Sequence, residues 1–172
     1  MVRNLSLERS FTGSPWLFNS LIFGGTFDRF HAGHFLFLEV ARSLASYTCV
    51  GLVTDEMLAG KEKKYGHIIH DYRSREEALL ARARQMGFVI GTGAPDLEIV
   101  PIERDLGKGD TIAADAIIAS EETYPVILQM NESRRESGLP PLKVIVLPEV
   151  VDKDGKRVSS TRLRELEVNE KK

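Results

Sequence analysis

The chain's 172 residues suit one domain and leave too little for a second core. Lys and Arg total 23 against 25 Asp and Glu, a formal net charge of −2 that excludes bulk attraction for a nucleic-acid backbone or an anionic membrane; any phosphate binding must be local. A 42% hydrophobic share is enough for a core, and the single Cys49 excludes an internal disulfide framework and a Cys-rich zinc module.

Residues 1–19 read as a polar leader with no apolar segment typical of a secretory signal, and no apolar run approaches the roughly 18 residues that span a bilayer. With the lone cysteine, this predicts a soluble protein of the reducing cytoplasm. The domain is placed at 20–167, ahead of a charged tail at 168–172. Within it, short β-branched runs alternate with longer helical patterns, the arrangement of parallel strands joined by helical crossovers. A first strand is predicted at 21–23. Phe37, Val40, Ala41 and Leu44 then fall at i, i+3, i+4 and i+7, the buried stripe of a helix starting near Ala32. A second strand follows at 47–53. The next helix is expected to open on a capping box of Ser74 and Glu77, bury Leu79, Ala83 and Met86, and stop at Gly87. Strand 97–102 comes next, then a short helix after Asp110, then strand 116–119. Pro125 suits the first turn of a helix ending near Gly138, strand 142–147 follows, and Ser159 opens a last helix through Arg162, Arg164 and Leu166. The fold class is α/β: a single doubly wound, Rossmann-like domain with a five-stranded parallel sheet and helices on both faces. Ligands of such sheets bind beyond the carboxyl ends of the strands, at the switch point.

The segment GGTFDRFHAGH, from Gly24 to His34, stands directly after the first strand and leads into the first helix. Gly24 and Gly25 clear side chains from a turn. His31, Gly33 and His34 stand at a helix start, where free N–H groups and the positive dipole end attract anions. An isolated HxxH pair would more simply be a capping histidine with a packed neighbour. Here strand, glycines and helix come in the order a phosphate site needs. The four histidines form two HxxH pairs, His31 with His34 and His67 with His70, but neither has the i, i+4 spacing with an intervening Glu of a zinc protease, and no metal site is assigned. The Lys61 to Lys64 run reads alone as a solvated charge cluster, and Ser159, Ser160 and Thr161 as a helix cap. Asp28 and Arg29 are expected to orient the turn, and Cys49 and Trp16 to pack.

GGTFDRFHAGH resembles the first signature of the HxGH nucleotidyltransferase superfamily, and VSSTRLR at 158–164 is similar to its second, ISSTxxR. Within that superfamily the wording GGTFDR, the SEET of 120–123 and Asn131 with Glu132 resemble the archaeal and eukaryotic type of phosphopantetheine adenylyltransferase. The resemblance runs from about Leu21 to Leu166. It departs from the bacterial type, whose Arg-Gly-Leu-Arg loop is replaced here by SEET, so that branch's phosphate-binding arginines have no counterpart.

The resemblance implies adenylyl transfer from ATP to 4′-phosphopantetheine, giving dephospho-coenzyme A and pyrophosphate, with Mg²⁺ arriving on ATP and only small molecules as partners. It implies that His34 contacts the reacting phosphates, that His31 supports the same nucleotide, and that Thr26 holds the incoming phosphate. Gly24, Gly25, Phe27 and Gly33 would shape the nucleotide turn. Ser159, Ser160 and Thr161 would hold the β- and γ-phosphates with Arg164 behind them, and Ser120, Glu121 and Thr123 would lie near adenine or ribose. A lysine of the 61–64 loop is implied at the phosphates, with Lys61 preferred and Lys64 second. A nicotinamide-mononucleotide adenylyltransferase or a cytidylyltransferase would share the first signature. A non-catalytic nucleotide-binding protein would keep the fold, but two intact signatures argue against it.

Overall fold

Side-chain alternation along β1 (Phe18–Gly25) sets the layers: Leu21 and Phe23 enter one apolar cluster and Ile22 the other. The computed structural model describes residues 15–103 and 109–170. After β1 come α1 (Ala32–Leu44), β2 (Ala45–Val53), α2 (Asp55–Ala59), a single 3₁₀ turn (Gly66–Ile68), α3 (Tyr72–Gln85), β3 (Leu97–Ile102), β4 (Ala116–Ser120), α4 (Tyr124–Glu136), β5 (Lys143–Leu147) and α5 (Ser160–Glu170). The strands run in the order β3-β2-β1-β4-β5, and every pairing is parallel. The order reverses between β1 and β4, so their carboxyl ends frame the crevice. Among the described residues no helix is long and apolar enough to cross a membrane.

One face of the sheet is covered by α1 and α3, whose Leu38, Ala41, Leu79 and Ala83 pack against Leu21, Phe23, Val50 and Leu52. The predicted stripe of α1 is there, with Phe37, Val40 and Leu44 packed at its margin. On the other face α4 sets Ile127 and Met130 against Ile22, Cys49, Ile117 and Ala119. Asn131 binds both backbone groups of Leu142, accepting from its N–H at 2.7 Å and donating to its carbonyl at 3.0 Å, which fixes the chain entering β5. Cys49 is buried, as its place in mid-strand predicts.

Several features differ from the sequence reading. β1 starts at Phe18, inside the expected leader, because the Asp115 carboxylate accepts from the N–H groups of Asn19 and Ser20 and Phe18 pairs in register with Ala45. The cap of α3 is Asp71, not Ser74; the Asp71 side chain accepts from the Ser74 N–H at 2.8 Å. No helix follows Asp110 among the described residues: the buried Arg134 guanidinium takes the carbonyls of Gly109 and Ile112, which therefore need no helical partners. α5 runs to Glu170, so residues 168–170 of the expected tail are helical. Unforeseen is α2, capped by Thr54, whose hydroxyl accepts from the Met57 N–H. Residues 1–14 of the leader and 171–172 of the tail lie outside the described residues.

Candidate active site

Gly24 and Gly51 lie side by side on β1 and β2, and the Ile102 side chain of β3 crosses both; a Cβ on Gly24 would stand 2.8 Å from Ile102 Cδ1, and one on Gly51 2.6 Å. Packing thus accounts for the first glycine of the motif. The left-handed turn falls on two non-glycines, Phe27 (φ 50°) and Arg29 (φ 46°), an arrangement that persists only where the surroundings over-determine it. They do. Between these residues Asp28 is fully buried and accepts from Arg29 (2.8 Å), Arg164 (2.8 Å) and the His70 N–H (3.2 Å), with His70 Nδ1 at 3.0 Å. Burial alone would raise the Asp28 carboxyl; the bonds from Arg164, His70 and Arg29 override it and hold the group below the usual carboxylate range. Arg29 in turn grips Glu167 of α5 through two bonds of 2.9 and 2.7 Å.

His31 caps α1, its Nδ1 accepting from the Gly33 N–H at 3.1 Å, so its Nε2 carries the ring proton as a donor. The His34 ring stacks on it at 3.8 Å and lies against Phe27 and Phe30. Phe27 is buried between Phe23 and His34, a wall behind the imidazole. His34 Nδ1 is buried and has no hydrogen-bond partner among the described residues. Burial, and then the neighbouring His31, push His34 down to about 3; burial, and then the charge of Arg157, push His31 down to about 4. Both rings are neutral near pH 7. Capping and stacking are thus what these histidines do in the free protein, and they also place two imidazoles at a helix start.

The loop between α2 and α3 supplies Lys63, which the sequence reading passed over: its Nζ donates to Thr26 Oγ1 at 2.7 Å. Lys61 shares a cavity with it, whereas Lys64 turns away to Glu165 at 2.8 Å. Three lysines within four residues of irregular loop show no periodicity that would separate them. Arg75 was also missed, although it stands four residues before Leu79 on the buried face of α3. Its guanidinium is wholly enclosed and donates to the carbonyls of Thr26, Val53 and His70 and to Asp55, tying together the ends of β1 and β2 and the loop.

The second motif begins as a capped helix: Ser159 Oγ accepts from the Arg162 N–H, Ser160 starts α5, and Thr161 Oγ1 bonds Arg164 at 3.0 Å. Arg164 is buried, pairs with Asp28 and reaches the Lys64 carbonyl. In the turn after β4, Ser120 and Thr123 bond one another, Glu121 is exposed, and Glu122 meets Arg157. His67 lies exposed on the 3₁₀ turn. Among the described residues no three His, Cys, Asp or Glu side chains are grouped to hold a metal ion.

A cleft of about 340 Å³ opens on the α4 face, with Thr26, Lys61 and Lys63 at its polar end and Cys49, Met57, Val100, Ile112, Ile127 and Met130 along it. A wider opening of about 630 Å³ lies between α2 and the following loop; His31 and His34 line neither of the two.

A parallel sheet with two phosphate-attracting helix starts at its switch point is the layout of a nucleotidyltransferase. The profile of the cytidylyltransferase-like family matches residues 22–166, and the chain belongs to that family. Relatives narrow the class. The chain is 42% identical over 149 residues to the phosphopantetheine adenylyltransferase of Methanopyrus kandleri, covering 86% of this chain and 89% of that one. It is 36% identical over 148 residues to the same-named enzyme of Thermococcus gammatolerans, covering 86% and 88%. The chain therefore falls among the phosphopantetheine adenylyltransferases. Solved structures bear out the fold: an Archaeoglobus fulgidus protein of unknown function aligns with a TM-score of 0.62 at 21% identity, over 81% of this chain and 99% of that one. A bifunctional NMN adenylyltransferase/ADP ribose pyrophosphatase from Francisella tularensis aligns with a TM-score of 0.56 at 14% identity, over 88% of this chain and 42% of that one.

Proposed function

We propose that the protein transfers the adenylyl group of MgATP to the phosphate of 4′-phosphopantetheine, releasing pyrophosphate and forming dephospho-coenzyme A. The observation that carries this reading is the cleft: a mostly apolar hollow of about 340 Å³ whose lining includes the hydrogen-bonded Thr26–Lys63 pair. An acceptor with a terminal phosphate and a long uncharged arm fits it, the phosphate at Thr26 and the arm along Met57, Val100 and Ile127. A bulky cationic base such as nicotinamide does not suit these walls.

An oxygen of the acceptor phosphate attacks the α-phosphorus of ATP, and the bond from that phosphorus to the bridging oxygen breaks, carrying the electron pair away on pyrophosphate. The acceptor phosphate is mostly dianionic at pH 7, its second pKa being about 6, so no protein base is needed. The protein aligns the groups and meets charge as it builds. In this reading His34 donates at the α-phosphate, and His31 uses its Nε2–H on the same nucleotide. The starts of α1, with Gly33, and of α5, with Ser159, Ser160 and Thr161, face the triphosphate. Ser120, Glu121 and Thr123 border the adenosine. Lys63 spans acceptor phosphate and α-phosphate, a role the sequence had given to Lys61 or Lys64, while Arg164 acts through Asp28 and Thr161. Mg²⁺ enters on the substrate, bound to ATP phosphates and water.

The test is direct. Purified protein is mixed with MgATP and, separately, 4′-phosphopantetheine, nicotinamide mononucleotide or no acceptor, and pyrophosphate and the adenylylated product are quantified. Product with 4′-phosphopantetheine alone is expected. Equal turnover of nicotinamide mononucleotide, or no turnover at all, overturns the reading.

A further inference from the structure

We propose that Arg157 is a switchable triphosphate ligand, held by Glu122 and Glu149 in the free protein and passed to the β- and γ-phosphates when MgATP enters. This rests on the nucleotidyl-transfer reading of the site.

The backbone that carries Arg157 is fixed. Val151 and Arg157 form an antiparallel bridge, and between them the Asp152 carboxylate accepts from the N–H groups of Asp154 and Lys156, both at 2.9 Å. Arg162 of α5 binds the carbonyls of Lys156 and Arg157 and also the Asp152 carboxylate. This small hairpin therefore moves with α5, and Arg157, two residues before Ser159, changes partners by side-chain rotation alone. The guanidinium now reaches toward the turn after β4, at 2.6 Å from Glu122 and 3.0 Å from Glu149. It is close enough to His31 for its charge to add to the effect of burial on that ring.

The other cations of the site are committed. Arg164 is neutralised by Asp28, Arg29 by Asp28 and Glu167, and Arg75 by Asp55. Both histidines are neutral. Lys61 and Lys63 stand at the acceptor end, so that among the described residues the α5 side of a highly charged triphosphate is left with helix N–H groups, hydroxyls and Arg157. The exchange is easy: the Arg157, Glu122 and Glu149 side chains are 45%, 68% and 38% exposed, and exposed ion pairs are weak, whereas a guanidinium fork matches a phosphate bidentately.

Calorimetric titration of the whole chain with MgATP and, separately, AMP tests the inference, because AMP lacks the phosphates that Arg157 would meet. For Arg157→Gln, MgATP affinity is expected to fall about tenfold or more, the loss of one charge-assisted hydrogen bond, while AMP affinity stays within about twofold. Arg157→Lys should keep part of the MgATP affinity, and its ATP-to-AMP ratio gives the same reading if Arg157→Gln fails to fold. Glu122→Gln, which removes the competing carboxylate, should leave MgATP binding unchanged or tighter. Equal losses for MgATP and AMP would make Arg157 a scaffold of the adenosine side and overturn the proposal, as would unchanged MgATP affinity. If the unsubstituted protein binds no MgATP, the underlying reading falls with it; if it binds and only the Arg157 contrast is absent, the reading stands alone.

Discussion

Arg164 Nη1 lies 2.8 Å from Asp28 Oδ2 across 136 residues of sequence, with the two side chains 3% and 0% exposed. The first motif supplies the acid and the second the base, so this buried pair, together with the Arg29–Glu167 bonds, holds together the two helix starts between which a triphosphate would lie. Removing one partner of a buried pair typically costs about 3–5 kcal/mol, because the other charge remains without its counterion. Asp28→Asn should therefore lower the unfolding free energy by an amount of that order and weaken MgATP binding as α5 loosens. Urea denaturation with and without MgATP checks both effects. A variant as stable as the parent would show that the Arg29–Glu167 bonds hold α5 in place without the buried pair.

Stability should fall on mild acidification. His34 is held to about 3 and His31 to about 4, below the ordinary 6.5, so the unfolded chain binds protons first as the pH drops below 6.5. Each such group then costs at most about 1.4 kcal/mol per pH unit, less for the part-exposed His31, until its folded pKa is reached. Asp28 adds a loss in the same direction below its ordinary 3.8. Thermal melting from pH 7 to pH 4.5 should show a falling midpoint, with a shallower slope in His34→Asn; parallel slopes would mean that the ring is not held neutral.

A donor that meets charge growing on the α-phosphate acts mainly in the transition state. His34→Ala is expected to lower kcat by about 10²–10³ and to change MgATP affinity little. Steady-state kinetics on the folded variant, paired with direct binding, decides the matter; a rate within a few-fold of the parent would leave His34 as packing beside Phe27.

The lysine loop offers a contrast between neighbours. Lys63→Ala should reduce kcat and raise the KM of the phosphorylated acceptor, since it removes the cation bonded to Thr26. Lys64→Ala gives up a solvent-exposed, and therefore weak, pair with Glu165 and should leave kinetics near the parent's. The reverse ranking would mean that the loop rearranges on binding.

Packing around Ile102 predicts two costs of different size. Gly24→Ala meets only the end methyl of Ile102, whereas Gly51→Ala meets Cδ1 at 2.6 Å and Cγ1 at 2.8 Å. Overpacking of this kind costs about 1–3 kcal/mol, with Gly51→Ala the larger. Ile102→Val, lacking Cδ1, should relieve Gly24→Ala and only partly relieve Gly51→Ala in the double variants. Equal relief would place the strain elsewhere.

Periodicity and local chemistry carried the architecture. The stripe of α1, Gly87 after α3, Pro125 in α4 and the apolar runs of five strands each act over a few residues, so the α/β alternation and both helix-start motifs were legible in order, whereas the strand order that sets the switch point came from the structure. The partners of Asp28 were not: Arg29 is its neighbour, but Arg164 and His70 come from distant segments whose approach depends on how the chain folds back. Nor could sequence choose among Lys61, Lys63 and Lys64, since an irregular loop has no repeating face and only its path over β1 brings Lys63 to Thr26. The enclosure of Arg75 and the bridge from Arg157 to Glu122 follow likewise from segments meeting in space, where burial and the need to partner every enclosed charge decide which of several equivalent side chains is used.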